Sequence, residues 1–189
     1  MNELRTLSTF FERLNSKNNG KLQIEESTWF NGRAYMPRFR YALEYNSISG
    51  EISLGYDFRM SESTRSTSLN STAVDRHLVN AQLKFTQNVI SEFSISDRSL
   101  LSRFLTKKEF TVSSRDKKLS RNLLGNKYLK DIYNHSANSP EFAPLISGKL
   151  INNEFYVSIK FNTMLMPMAE ITMILKFLKA FSSSITLKE

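Results

Sequence analysis

Cysteine is missing from the chain, which excludes disulfides, thiolate nucleophiles and every cysteine-ligated zinc or iron–sulfur site. A cysteine-free chain is compatible with a reducing or an oxidising compartment. Glycine is scarce, at 6 of 189 residues, and phosphate-cradling loops are correspondingly unexpected. Neither a Walker loop nor a G-x-G-x-x-G fingerprint is present, and the G-x-S-x-G elbow and the H-E-x-x-H helix are also missing. Histidine is limited to His77 and His135, both in polar stretches far apart in sequence. A metal pair or a catalytic dyad at these positions would have to be assembled by the fold, and the simpler expectation is two surface histidines.

Long apolar runs are lacking as well. Residues 164–181 form the most apolar stretch, but Pro167, Glu170, Lys176 and Lys179 break it, short of the roughly 20 apolar residues that span a bilayer. Residues 1–20 carry Glu3, Arg5, Glu12 and Arg13, which leaves no uninterrupted apolar core of the signal-peptide kind. The expectation is a cytoplasmic protein that is not transmembrane.

What the sequence does contain is core material: 40% of residues are apolar and 12% aromatic, including 14 Phe and 7 Tyr. A chain of this length buries about two-thirds of its unfolded surface without covalent staples. A single domain over residues 1–189 is expected, with two lobes as a variant, strand-rich over about 20–95 and mixed over 96–181.

Leu4, Leu7, Phe10, Phe11 and Leu14 recur at helical spacing, so residues 2–16 read as an amphipathic helix ended by Asn18-Asn19-Gly20. Leu22 and Ile24 signal a strand, and Asn31-Gly32 a tight turn. Phe39, Tyr41, Leu43 and Tyr45 alternate with polar neighbours, as do Ile52, Leu54, Tyr56 and Phe58. The five residues 46–50 between them fit the connection of an antiparallel hairpin. Residues 61–72 are almost all Ser, Thr, Arg and Asn and read as an exposed, mobile loop.

Further strands are expected at Leu83 and Phe85, at Phe93 and Ile95, and at Phe110 and Val112. Between the last two, Asp97 is placed to cap a short helix carrying Leu100, Leu101, Phe104 and Leu105. Ser113, Ser114 or Asp116 caps a helix holding Leu119, Leu123 and Leu124; Gly125-Asn126 interrupts it, and Leu129, Ile132 and Tyr133 resume it. Asn152-Asn153 offers a turn between Leu150 and the alternating Phe155, Val157, Ile159 and Phe161, and Pro167 opens the last helix. The whole predicts an α+β fold with a largely antiparallel sheet and helices packed on one face.

The order Phe110-Thr111-Val112-Ser113-Ser114-Arg115-Asp116, then Leu123-Leu124, a helix, an extended pair ending in Phe155-Tyr156-Val157 and a closing helix recurs in a recognisable setting. With Asn31-Gly32-Arg33-Ala34-Tyr35 opening the first hairpin, it resembles uncharacterised bacterial domains that sit behind transmembrane helices at a membrane surface. The resemblance spans residues 30–180, contains no diagnostic motif and carries over no functional residue. It implies a membrane-associated role, although the membrane helices of such families lie in the same chain and the 189 residues contain none.

Charge is the more informative feature. The net charge is +8. It is concentrated over residues 98–130, and the candidate binding patch comprises Arg98, Arg103, Lys107, Lys108, Arg115, Lys117, Lys118 and Arg121. Such a patch attracts nucleic-acid phosphates or an anionic membrane surface. Several of these cations fall near expected helix starts, where the macrodipole disfavours them. Arg33, Arg38 and Arg40 interleave with Trp29, Phe30, Tyr35, Phe39 and Tyr41 in the manner of single-strand binders, but strand alternation sends the aromatics and the arginines to opposite faces. Glu25 and Glu26, adjacent on a strand, point apart and do not form an acid–base pair; these two and Asp57 read as solvated strand residues. In the last helix, Met168, Ile171, Ile174, Leu175, Leu178 and Phe181 form one apolar face, with Met173, Phe177 and Ala180 elsewhere. That surface is either buried or meets a second copy of the chain in a homo-oligomer.

The reading is a non-catalytic binding or interaction module with an anionic partner. No catalytic residue, metal, cofactor or small-molecule substrate is identified. The alternatives are a nucleic-acid-binding protein and a hydrolase whose site is assembled only in three dimensions.

Overall fold

A computed structural model describes residues 2–61, 75–85, 90–97, 110–139 and 141–186. The first helix, α1 (Asn2–Asn18), ends at Asn19, which takes a left-handed φ of 49°. Three long strands follow: β1 (Lys21–Phe30), β2 (Tyr35–Ser47) and β3 (Gly50–Arg59). At the first turn the Asn31 side chain accepts from the Arg33 and Ala34 N–H groups, both at 2.8 Å, while Gly32 supplies a φ of 98°. The second connection is tighter than the sequence suggested. Pairing persists to Ser47↔Gly50, leaving a two-residue turn at Ile48 and Ser49 in place of a five-residue loop.

Next come β4 (Arg76–Phe85), β5 (Phe93–Asp97) and β6 (Phe110–Ser114), then α2 (Lys117–Gly125) and α3 (Lys127–Asn138). Asp116 caps α2, its Oδ1 accepting from the Lys118 N–H at 2.7 Å and the Leu119 N–H at 3.1 Å. Asn126 ends α2 and caps α3 through Leu129 N–H at 3.1 Å, which accounts for the break after Gly125. The hairpin β7 (Leu145–Ile151) and β8 (Glu154–Thr163) turns on Asn152 and Asn153, both at positive φ. The chain closes with α4 (Met168–Thr186), entered from Pro167, whose carbonyl accepts the Ile171 N–H at 2.8 Å. The loop expected over 61–72, from residue 62 onward, and the helix expected after Asp97 lie outside the described residues.

All eight strands join one sheet in the order β1-β2-β3-β4-β8-β7-β5-β6, every pairing antiparallel. This is an α+β fold, and the sheet runs unbroken across both halves of the chain. Alternation divides each strand between two faces. Tyr41, Tyr56, Val79 and Phe161 stand in register on one face and are all buried. Helices cover that face: Phe11 of α1 stacks on Tyr41 at 4.7 Å, Tyr133 of α3 on Phe110 at 4.7 Å, and Phe181 of α4 meets Phe85 at 5.9 Å. In α4, Ile171, Ile174, Leu175, Phe177, Leu178 and Phe181 are all buried in this core, so its apolar surface is used within the chain. His135 of α3 and Glu170 of α4 are joined at 2.8 Å.

His77 corrects the sequence reading. It is 3% exposed, stacks on Phe58 at 4.7 Å and shares a 2.6 Å hydrogen bond between its Nδ1 and the Tyr56 hydroxyl. Its parity explains this: His77 alternates in phase with Val79, Ala81, Leu83 and Phe85, so β4 delivers it to the core despite its polar neighbours.

Candidate binding surface on the uncovered sheet face

The opposite face of the sheet has no helix packed on it among the described residues, and its rows follow from the register. One row runs Ala42, Gly55, Asn80, Lys160, Leu145 across β2, β3, β4, β8 and β7. The next runs Arg40, Asp57, Leu78, Asn162. The two smallest side chains of these rows, Ala42 and Gly55, lie on adjacent strands, and the surface sinks there. A hollow of about 550 Å³ results, floored by Ala42, Gly55 and Leu78, with Ala143 and Leu145 at one side. A Cβ built on Gly55 would meet only the Asn80 carbonyl oxygen, at 3.7 Å, so the space above it is open. A second hollow of about 440 Å³ adjoins the first through Leu78 and Asn162 and is lined by Arg59, Arg76, Glu141 and Met164.

Most charges around the hollow are already paired. Asp57 receives both Arg38 nitrogens, Nε at 2.7 Å and Nη2 at 2.5 Å, and Arg59 at 3.0 Å. Burial raises the Asp57 carboxyl, but the hydrogen bonds from the two guanidinium groups outweigh it and hold the carboxyl below its ordinary range. Arg40 reaches Glu25 at 3.1 Å, while Glu26 stands opposite Phe39 on the other face. Trp29 is engaged too: its indole N–H donates to the Met60 carbonyl at 3.1 Å, with Arg59 over the ring.

Lys160 and Arg76 differ. Both are exposed, and neither has a carboxylate partner among the described residues. Lys160 is flanked by Asn80 directly across the β4–β8 pair and by Asn162 two residues along its own strand. Neither asparagine amide has a hydrogen-bond partner among the described residues. The hollow therefore combines an apolar floor with one ammonium group and two amides that have no partner among the described residues.

The basic patch expected from sequence lies elsewhere. Arg98, Arg103, Lys107 and Lys108 fall outside the described residues. Arg115, Lys117, Lys118 and Arg121 are exposed together at the start of α2, in the helical layer, and none of them lines the hollow. Lys117 and Lys118 open the first turn directly after the capping Asp116. Arg115 borders a separate depression with Lys149, Glu92 and Ser94. Among the described residues no three His, Asp or Glu side chains approach closely enough to hold a metal ion.

Sequence reasoning missed Gly55, Asn80, Lys160 and Asn162 as a group. Alternation within 52–58 and 155–161 assigns Gly55 and Lys160 to the outer face, but their meeting depends on the β4–β8 pairing between strands more than 70 residues apart. Aromatic side chains are sparse on this face, where Trp29 and Tyr156 stand among the described residues, so it is no stacking platform for bases. No family model, no curated protein and no solved structure matches this chain. No helix among the described residues is long and apolar enough to cross a membrane.

Proposed function

We propose that the protein is a non-catalytic binding module that takes an anionic partner on the uncovered face of its sheet. One observation supports the reading: Lys160 has no carboxylate partner among the described residues, whereas Arg40 and Asp57, the other charged residues lining the hollow, are each in an ion pair. An unpaired cation at a concave, partly apolar surface is where an incoming anion gains most and displaces least. Nucleic acid ranks below other anions here because the face offers few aromatic groups for stacking.

The test follows backbone amide resonances during titration with an oligodeoxynucleotide, used as a generic polyanion, at low and at near-physiological salt. Shifts are expected at Asn80, Lys160 and Asn162, shrinking as salt rises. Shifts confined to Lys117, Lys118 and Arg121 would move the interface to the helical layer. No shift even at low salt would remove a polyanionic partner.

A further inference from the structure

The hollow around Gly55 differs from a plain basic surface in joining an apolar patch to a polar cluster: along its row Asn80 and Lys160 stand between the Ala42–Gly55 patch and Leu145. Its volume, about 550 Å³, lies within the roughly 300–1,000 Å³ of small-molecule sites. Ala42, Gly55 and Leu78 form an apolar floor bordered by the paired Arg40 and Asp57, and Leu145, 73% exposed, lies beyond Lys160. Polar capacity is concentrated at Lys160, Asn80 and Asn162, one ammonium group between two amides. A polyanion would meet one free cation in the hollow and leave the apolar floor unused. A bare inorganic anion would likewise bury none of it. A ligand with an apolar body and one terminal carboxylate satisfies both features: the body covers the floor, and the carboxylate accepts from Lys160 Nζ and the asparagine amides.

We infer that the open-face hollow is a site for a small amphipathic carboxylate of the fatty-acid kind, with Lys160, Asn80 and Asn162 holding the headgroup and the floor around Gly55 holding the chain. The inference rests on the anion-binding reading and narrows it to one ligand chemistry.

Gly55 makes the site testable without disturbing the core. Its φ lies outside the left-handed region, and its Cβ direction opens into the hollow, so Gly55→Val fills the floor while the strand is retained. Ala42→Leu, on the same row, is a second way to fill it should the first variant fold poorly. Decanoate, acetate and decanol would be titrated into the full chain by isothermal calorimetry. Decanoate is expected to bind at micromolar concentration and acetate at least about a hundredfold more weakly, because it buries no chain. Lys160→Met should weaken decanoate by about tenfold or more and leave decanol unchanged. Gly55→Val or Ala42→Leu should abolish binding of both.

Decanoate binding that survives both floor-filling variants would overturn the inference, as would equal binding of acetate and decanoate. If decanoate fails while the oligodeoxynucleotide still shifts Asn80 and Lys160, the amphipathic ligand is wrong and the anion-binding reading stands. If neither binds, both are wrong.

Discussion

Tyr45 lies in the core with its hydroxyl buried and without a partner among the described residues, and burial pushes its ionisation up to about 12 from the ordinary 10.0. The folded protein therefore holds this proton more tightly than the unfolded chain does. The associated stability is complete below pH about 10 and is lost as the pH rises through about 12. Tyr45→Phe should flatten that alkaline loss and, by removing an unsatisfied buried hydroxyl, leave neutral-pH stability unchanged or higher by about 1 kcal/mol. Urea denaturation at neutral and at strongly alkaline pH measures both effects; an unchanged alkaline slope would show that Tyr45 does not set it.

Gly148 offers a second single-residue test. A Cβ there would stand 2.3 Å from Phe93 Cε1 and 2.8 Å from Phe155 Cζ, both in the buried layer. Gly148→Ala is expected to cost about 1–3 kcal/mol in thermal or urea unfolding. At this scale the sequence was legible where alternation was strict and misleading where polar neighbours masked it. Phe58 and Val157 are buried as their spacing predicts, whereas His77 reads as a surface residue until the Leu83 and Phe85 pattern is carried back along the strand.

Among the elements, caps and turns with a specific side-chain chemistry were readable in advance. Of the three candidate caps Ser113, Ser114 and Asp116 it is Asp116 that caps α2, the break at Gly125-Asn126 falls where expected, with Asn126 also capping α3, and Asn152-Asn153 turn at positive φ. The Ile48-Ser49 turn was not readable, because contacts from a distant helix support it. Ser182 of α4 is buried and accepts the Ser49 N–H at 3.1 Å and the Ser47 hydroxyl at 3.1 Å, while its carbonyl accepts the Ser49 hydroxyl at 3.0 Å. No local pattern reveals a bond spanning 133 residues. Ser182→Ala should leave the Ser49 amide without its acceptor and destabilise the fold by about 1–3 kcal/mol. Its hydrogen exchange at Ser49 should accelerate more than exchange at the centre of β3; equal protection would mean that the turn holds without α4.

For the whole molecule, the central division is between a helix-covered face that makes the core and an opposite face with no helix on it among the described residues, which we propose binds the ligand. Phe58→Asp or Val157→Asp puts a charge into the first and should prevent folding, which circular dichroism and solubility would report. The α+β class and the antiparallel sheet were legible because they follow from periods within each strand. The candidate site was not, because it is a property of strand order: β8 inserts beside β4, bringing Lys160 to Asn80, and two small residues on β2 and β3 open the space between them. Counting cations along the chain instead favoured residues 98–130, whose described members lie in the helical layer.

The measurement that separates these two surfaces compares Lys160→Met with the double variant Lys117→Glu, Lys118→Glu. Each would be titrated with the same anionic probe at low salt, after circular dichroism has established that both fold. Binding on the uncovered face predicts a loss of about tenfold or more for Lys160→Met and less than about threefold for the double variant, whose charges stand outside the hollow. The reverse ranking would contradict the account and assign anion binding to the start of α2.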